Sequence, residues 1–81
     1  VLSMSLATKF SHEVYLARTR LGLTQQAVAD AVSISVRWYQ YIENDSHMPS
    51  ADLMLRLIFY LGIDINVFRD EVNHIVSVSS N

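Results

Sequence analysis

Cysteine is absent from the 81 residues, which excludes disulfides and thiolate metal sites and makes a reducing cytosol the natural compartment. Glycine occurs only at Gly22 and Gly62, so no glycine-rich phosphate loop is present. No apolar run reaches the length that spans a bilayer. The first residues lack the basic-then-apolar order of a signal peptide, and Met4, after Val1-Leu2-Ser3, is read as the natural start. Basic residues are scarce too: six Lys and Arg stand against eight Asp and Glu, a net charge of −2. That counts against a nucleic-acid partner, because phosphate neutralisation supplies much of such affinity. His12, His47 and His74 are far apart, without ligand spacing, and no HExxH, GxSxG or DxDxDG pattern occurs. Asp70-Glu71 reads as a solvated pair. Neither an enzyme nor a metal, cofactor or small-molecule site is expected.

What is present is apolar residues, 51% of the chain, which is high for one small domain and predicts an exposed apolar interface. Residues 1–81 are read as a single domain, organised around Thr24 to Glu43. Thr24 suits the N-cap of a first short helix, Gln25 to Val32, with Val28, Ala29 and Val32 on one face. Ser33-Ile34-Ser35 follows, with Ile34 plugging the angle and Ser35 capping a second helix, Val36 to about Asn44. Tyr39 and Ile42 face inward; Val36, Arg37, Gln40 and Tyr41 face outward. Arg and Gln offer paired donors and acceptors to base edges, and Val and Tyr offer apolar contact to a thymine methyl. A small Ala29, an apolar hinge and a polar outward face fit a DNA-binding helix-turn-helix over about 25–44.

Around this motif the periodicity predicts only helices. Phe10, Val14, Ala17 and Leu21 mark one face of a helix from about Thr8 to Leu21, which Gly22 ends. Residues 1–7 are a loose arm or a short extension of it. Pro49-Ser50 starts a fourth helix, with Ser50 as cap and Asp52 in its first turn, ended by Gly62. Asp64 caps a fifth, Ile65 to about Val78, with Ile65, Phe68, Val72, Ile75 and Val76 as its apolar stripe. The tail from Ser77 to Asn81 is expected to fray.

The chain resembles the lambda-repressor-like, Cro/C1-type (XRE) helix-turn-helix regulators. The resemblance covers about Phe10 to Phe68 and rests on Arg18-x-x-x-Gly22-Leu23-Thr24-Gln25, Val28-Ala29, Val32-x-Ile34-Ser35, Ile42-Glu43-Asn44, Pro49-Ser50, Leu57 and Leu61-Gly62-Ile63. It implies an all-α, five-helix DNA-binding domain, here with an extended C-terminal helix, whose third helix enters the major groove. It implies an ion pair between Arg18 and Glu43, against the plainer alternative of a solvated arginine. It also implies that Gln25 contacts phosphate and that Asn44 lies at a backbone-contacting position. Ser33 and Asp45 depart from it, standing where the family most often has glycine. A serine at positive φ costs about 1 kcal/mol or more, and Asn44 is the expected left-handed residue in the second case.

The candidate DNA-binding set is therefore Gln25, Ser35, Val36, Arg37, Gln40, Tyr41, Asn44 and His47. Arg37 is the first candidate for base readout, with a phosphate contact or a solvated charge as the alternative. His47 is either a pH-dependent contact or solvated. Tyr39 is expected in the core with its hydroxyl reaching a partner at the edge. Trp38 either covers the domain's side or bonds a phosphate. Leu53, Phe59 and Tyr60 stand where the family is usually polar, which makes the fourth helix apolar almost all round and buried on more than one side. The fifth helix either folds back over them or meets a second copy. Leu53, Phe59, Tyr60, Phe68, Val72, Ile75 and Val76 are thus the candidates for a homodimer that would read a palindromic operator. The leading function is a small cytoplasmic repressor of a prokaryote, phage or mobile element. The alternative is the same fold as a protein-binding module with little DNA affinity, docking through Trp38, Tyr41 and Phe59.

Overall fold

The computed structural model describes residues 4–79, the side chains of 75–79 excepted. Five α-helices and one 3-10 turn make up these residues, with no strand among them: α1 Leu6–Arg20, α2 Gln25–Ala31, α3 Val36–Asp45, α4 Ala51–Leu61, the 3-10 turn Ile65–Phe68, and α5 Arg69–Ser79. The all-α, five-helix class expected from the sequence is the one observed. Val1 to Ser3, before the expected start, lie outside the described residues.

Each of the first four helices opens on a hydroxyl that takes an otherwise orphaned N–H of the first turn. Ser5 accepts from Thr8 at 3.1 Å, Thr24 from Ala27 at 3.0 Å, Ser35 from Trp38 at 3.1 Å and Ser50 from Leu53 at 3.2 Å. The Ser5 cap starts α1 two residues before the expected Thr8, so the extension prevails over the loose arm for residues 6 and 7. At its other end Leu21 leaves the core face and is 52% exposed. The helix has closed at Arg20, and beyond Gly22 (φ 71°) it is Leu23 that packs on the core.

The core gathers Phe10, Val14 and Ala17 of α1, Val28, Ala29 and Val32 of α2, Tyr39 and Ile42 of α3, and Leu53, Leu57, Ile58 and Leu61 of α4. Ile63 and Phe68 close it from below, the Phe68 ring 5.8 Å from that of Phe10. Ile34 is half-buried against this core between α2 and α3. Ser33 keeps a left-handed turn with φ 63° despite its side chain.

Four expectations are corrected here. The left-handed residue after α3 is Ser46 (φ 56°), not Asn44, because the helix continues through Asp45. The fifth helix begins with a 3-10 turn capped by Asp64, whose carboxylate accepts from the Asn66 N–H at 3.0 Å; α5 itself, Arg69–Ser79, starts four residues after the expected Ile65. Helix α4 is buried on one side only, with Phe59 80% exposed. Leu53 and Phe68 are not available to a second copy, since both are buried in this chain's own core. Phe59, Tyr60 and Val72 do remain exposed. The side chains of Ile75 and Val76, and the end of the tail at 80–81, lie outside the described residues. Between α1, α4, the 3-10 turn and α5 runs a wholly apolar groove of about 220 Å³, with Leu6, Met54, Leu55, Ile65 and Val72 among its walls.

Candidate nucleic-acid interface

Helix α3 divides into two sides. Tyr39, Ile42 and Glu43 are buried, while Arg37, Gln40, Asn44 and Asp45 are exposed and Tyr41 is half-buried. The exposed side forms an open cavity of about 400 Å³ lined by Arg37, Gln40, Tyr41, Asn44 and Asp45. Val36, expected to face outward, is half-buried against the core, which leaves part of its surface for contact. The Ser35 hydroxyl is engaged as the cap of α3.

The buried side is tied to the other helices through one carboxylate. Arg18 of α1 donates from Nε to Glu43 Oε2 at 2.8 Å and from Nη2 to Oε1 at 2.7 Å. Its Nη1 donates to the Leu23 carbonyl at 2.8 Å. Gln25, at the start of α2, donates from Nε2 to Glu43 Oε1 at 3.2 Å and accepts at Oε1 from Gln40 Nε2, also at 3.2 Å. The buried Ser11 hydroxyl of α1 donates to the Glu43 backbone carbonyl at 2.5 Å. Three helices thus meet on one residue, and the Gln25 amide links it to the exposed Gln40.

The electrostatics follow from this geometry. Burial pushes the Glu43 carboxyl up, but the Arg18 hydrogen bonds, followed by the polar groups of Tyr39 and Gln25, outweigh it and hold the group below its ordinary value. The same hydrogen bonds to Glu43 raise Arg18. Tyr39 is fully buried, as expected of a core residue, and its hydroxyl lies beside the Glu43 carboxylate and Arg18 rather than at the edge, with no partner in good hydrogen-bond geometry. Burial first, and then the neighbouring Glu43 carboxylate, drive that phenol well above its ordinary pKa.

On the exposed side Arg37 leans on Tyr41, its Nε donating to the phenol oxygen at 3.3 Å and its guanidinium 5.9 Å from the ring centre. Trp38 is half-buried against the core and also meets the Tyr41 ring (6.3 Å between centres) and the His47 ring (6.1 Å). Tyr41 and His47 stand 5.6 Å apart, edge to face. Seven of the eight residues read as DNA-binding belong to α3, its cap or the following loop, and Gln25 adjoins them through Gln40. Sequence reasoning missed Ser11. Its place beside Phe10 and one helical turn before Val14 puts it on the inward side of α1, a signal of a buried polar contact.

A family model described as a helix-turn-helix domain matches residues 10–74. No curated protein and no solved structure gives a significant match. Among the described residues no cluster of His, Asp or Glu has the geometry to hold a metal ion, and no helix is long and apolar enough to cross a membrane.

Proposed function

The chain belongs to the helix-turn-helix domain family, and from that premise we propose that it is a sequence-specific DNA-binding regulator, a small repressor that reads the major groove with α3. One observation carries this reading. Arg37, Gln40 and Asn44 stand in register on the exposed side of a helix whose opposite side is wholly buried and bonded to α1 and α2. A reading head needs that combination of exposed polar tips and a fixed base. Arg37 is assigned to guanine O6 and N7, Gln40 to adenine N6 and N7, and Tyr41 with the free part of Val36 to a thymine methyl. Gln25, Ser35, Asn44 and His47 flank the sugar–phosphate backbone.

Affinity needs a second source, because the net charge is −2 and Asp45 sits on the rim of the reading face. A homodimer supplies it through avidity and places two α3 helices about one turn of DNA, roughly 34 Å, apart on a palindrome. Its proposed face is the apolar groove, Val72 included, together with the exposed Phe59 and Tyr60 of α4. The protein would act in the cytoplasm of a prokaryotic cell, from the chromosome or a mobile element. Exposure of Phe59 favours the second reading, a protein-binding module, and the same experiment separates the two.

Fluorescence titration against a randomised duplex pool at two salt concentrations, with sedimentation of the free protein, is the test. Enrichment of a palindrome by a dimer, with affinity falling steeply with salt, supports the regulator. No binding at low salt from a folded protein refutes it and leaves the protein-binding module.

A further inference from the structure

The turn between α2 and α3 sets the angle at which α3 is presented, and it contains a residue in the wrong conformation for its type. Ser33 has φ 63°, a region costly for any residue with a Cβ. Such a conformation persists only where its surroundings over-determine it. Here the two peptide planes that flank Ser33 are held. The Ser33 N–H donates to the Asp30 carbonyl at 3.2 Å, and the Ile34 N–H donates to the Ala29 carbonyl at 3.0 Å. The carbonyl of Val32, at the other side of the first plane, accepts from Arg56 Nη1 at 2.7 Å. Arg56 is aimed by Asp52, one helical turn earlier in α4, whose Oδ2 accepts from Nη2 at 2.7 Å.

We propose that Arg56 is a positioning residue for the motif, holding the Val32–Ser33 peptide so that a serine serves where a glycine would turn unaided. A surface pair between Arg56 and Asp52 at i,i+4 would by itself contribute little. The second bond is of another kind: it is charge-assisted, short, and reaches a backbone carbonyl 24 residues away in sequence. That carbonyl is one of those left without a helical partner where α2 ends. Arg56 therefore satisfies the end of α2 and fixes the plane from which Ser33 must turn. Without it the Val32–Ser33 plane is held only by the weaker 3.2 Å bond from Ser33, and the return of Ser33 to negative φ is resisted by that bond and by the Ile34 bond across the turn.

The variants R56M, R56K, S33G and R56M/S33G test this, the Arg56 side chain being exposed enough (43%) for all four to fold. The first readout is amide exchange at Ile34, whose N–H spans the turn, relative to Ile42 in the core. R56M lowers the protection of Ile34 by about tenfold or more against Ile42, the effect of losing one charge-assisted bond. Adding S33G restores it, because glycine needs no clamp, and R56K keeps part of it through a single donor. Unchanged protection in R56M, or a loss that S33G does not restore, overturns the proposal. The second readout, duplex affinity, rests on the DNA-binding reading above. There R56M weakens binding and S33G recovers it; a loss that S33G leaves standing means that Arg56 meets the DNA itself and overturns the positioning role. If the unaltered protein binds no DNA, the regulator reading fails while the exchange result still decides this one.

Discussion

Replacing Arg18 with Met separates the two halves of the α1–α3 pair and predicts a stability loss with a distinctive pH dependence. The Glu43 side chain is 2% exposed and that of Arg18 14%, so the substitution leaves a carboxylate inside with only the Gln25 amide and the Tyr39 hydroxyl beside it. Breaking a buried pair on one side costs about 3–5 kcal/mol. The remaining Gln25 bond and the partial exposure of the lost guanidinium place R18M near the lower end, about 3 kcal/mol at pH 7. In the unaltered protein the folded Glu43 pKa lies below its unfolded value. Its contribution is therefore present above the unfolded value and is lost as pH falls through the lower folded one. In R18M burial prevails, the folded pKa rises above the unfolded value of about 4.3, and the penalty grows with pH instead. The gap between the two proteins should thus be widest near neutrality and close below about pH 4. Urea unfolding followed by the fluorescence of Trp38, the single tryptophan, reads this directly. With a slope of about 1 kcal/mol per molar urea, the midpoint should fall by about 3 M at pH 7 and by much less at pH 4. A shift under about 1 M at pH 7, or the same shift at both, refutes the reasoning. R18M paired with E43L should recover most of the loss, since an apolar pair leaves no stranded charge.

Other substitutions probe the remaining features. Tyr39→Phe removes a buried hydroxyl that has no partner in good geometry but helps to hold the Glu43 carboxyl down, so the two effects offset and stability should change by less than about 1 kcal/mol in the same urea assay; a loss above about 1 kcal/mol would mean that the hydroxyl is fully bonded. Ser46→Gly relieves the left-handed residue after α3 and should stabilise by about 1 kcal/mol, measured as a rise in Tm. Arg37→Ala should leave thermal unfolding unchanged while costing about 1–3 kcal/mol of discrimination at one base pair, read by competition between single-base duplex variants. Phe59→Asp should change monomer stability by less than about 0.5 kcal/mol yet lower the sedimentation coefficient at micromolar concentration; an unchanged coefficient from a dimer would move the interface elsewhere.

The elements that the sequence made legible are those set by local chemistry. Ser35, Ser50 and Thr24 cap where hydroxyls precede apolar periodicity, and Gly22 and Gly62 take the left-handed ends that their missing Cβ allows. What was not legible depends on competition between distant groups. Leu21 fits the stripe of α1 by spacing, but Leu23 occupies the core after the turn. Leu53 and Phe59 look alike in the sequence of α4, and only the packing of α4 on the rest of the core decides that one is buried and the other bare. Asn44 and Ser46 are both short polar residues near a helix end, and how far α3 continues decides between them. In the candidate site, the outward row of α3 follows from its period of 3.6 residues. The sharing of Glu43 by Ser11, Arg18 and Gln25 does not, because it spans separations of 32, 25 and 18 residues.

That sharing bears on how the domain comes apart. Helices α1, α2 and α3 are fastened at a single residue, so opening any one of them exposes polar groups belonging to the other two. Helix α3 should then have no private route to disorder. Its inner amides should exchange only with opening of the whole three-helix unit, so the face offered to a partner is as durable as the domain that carries it.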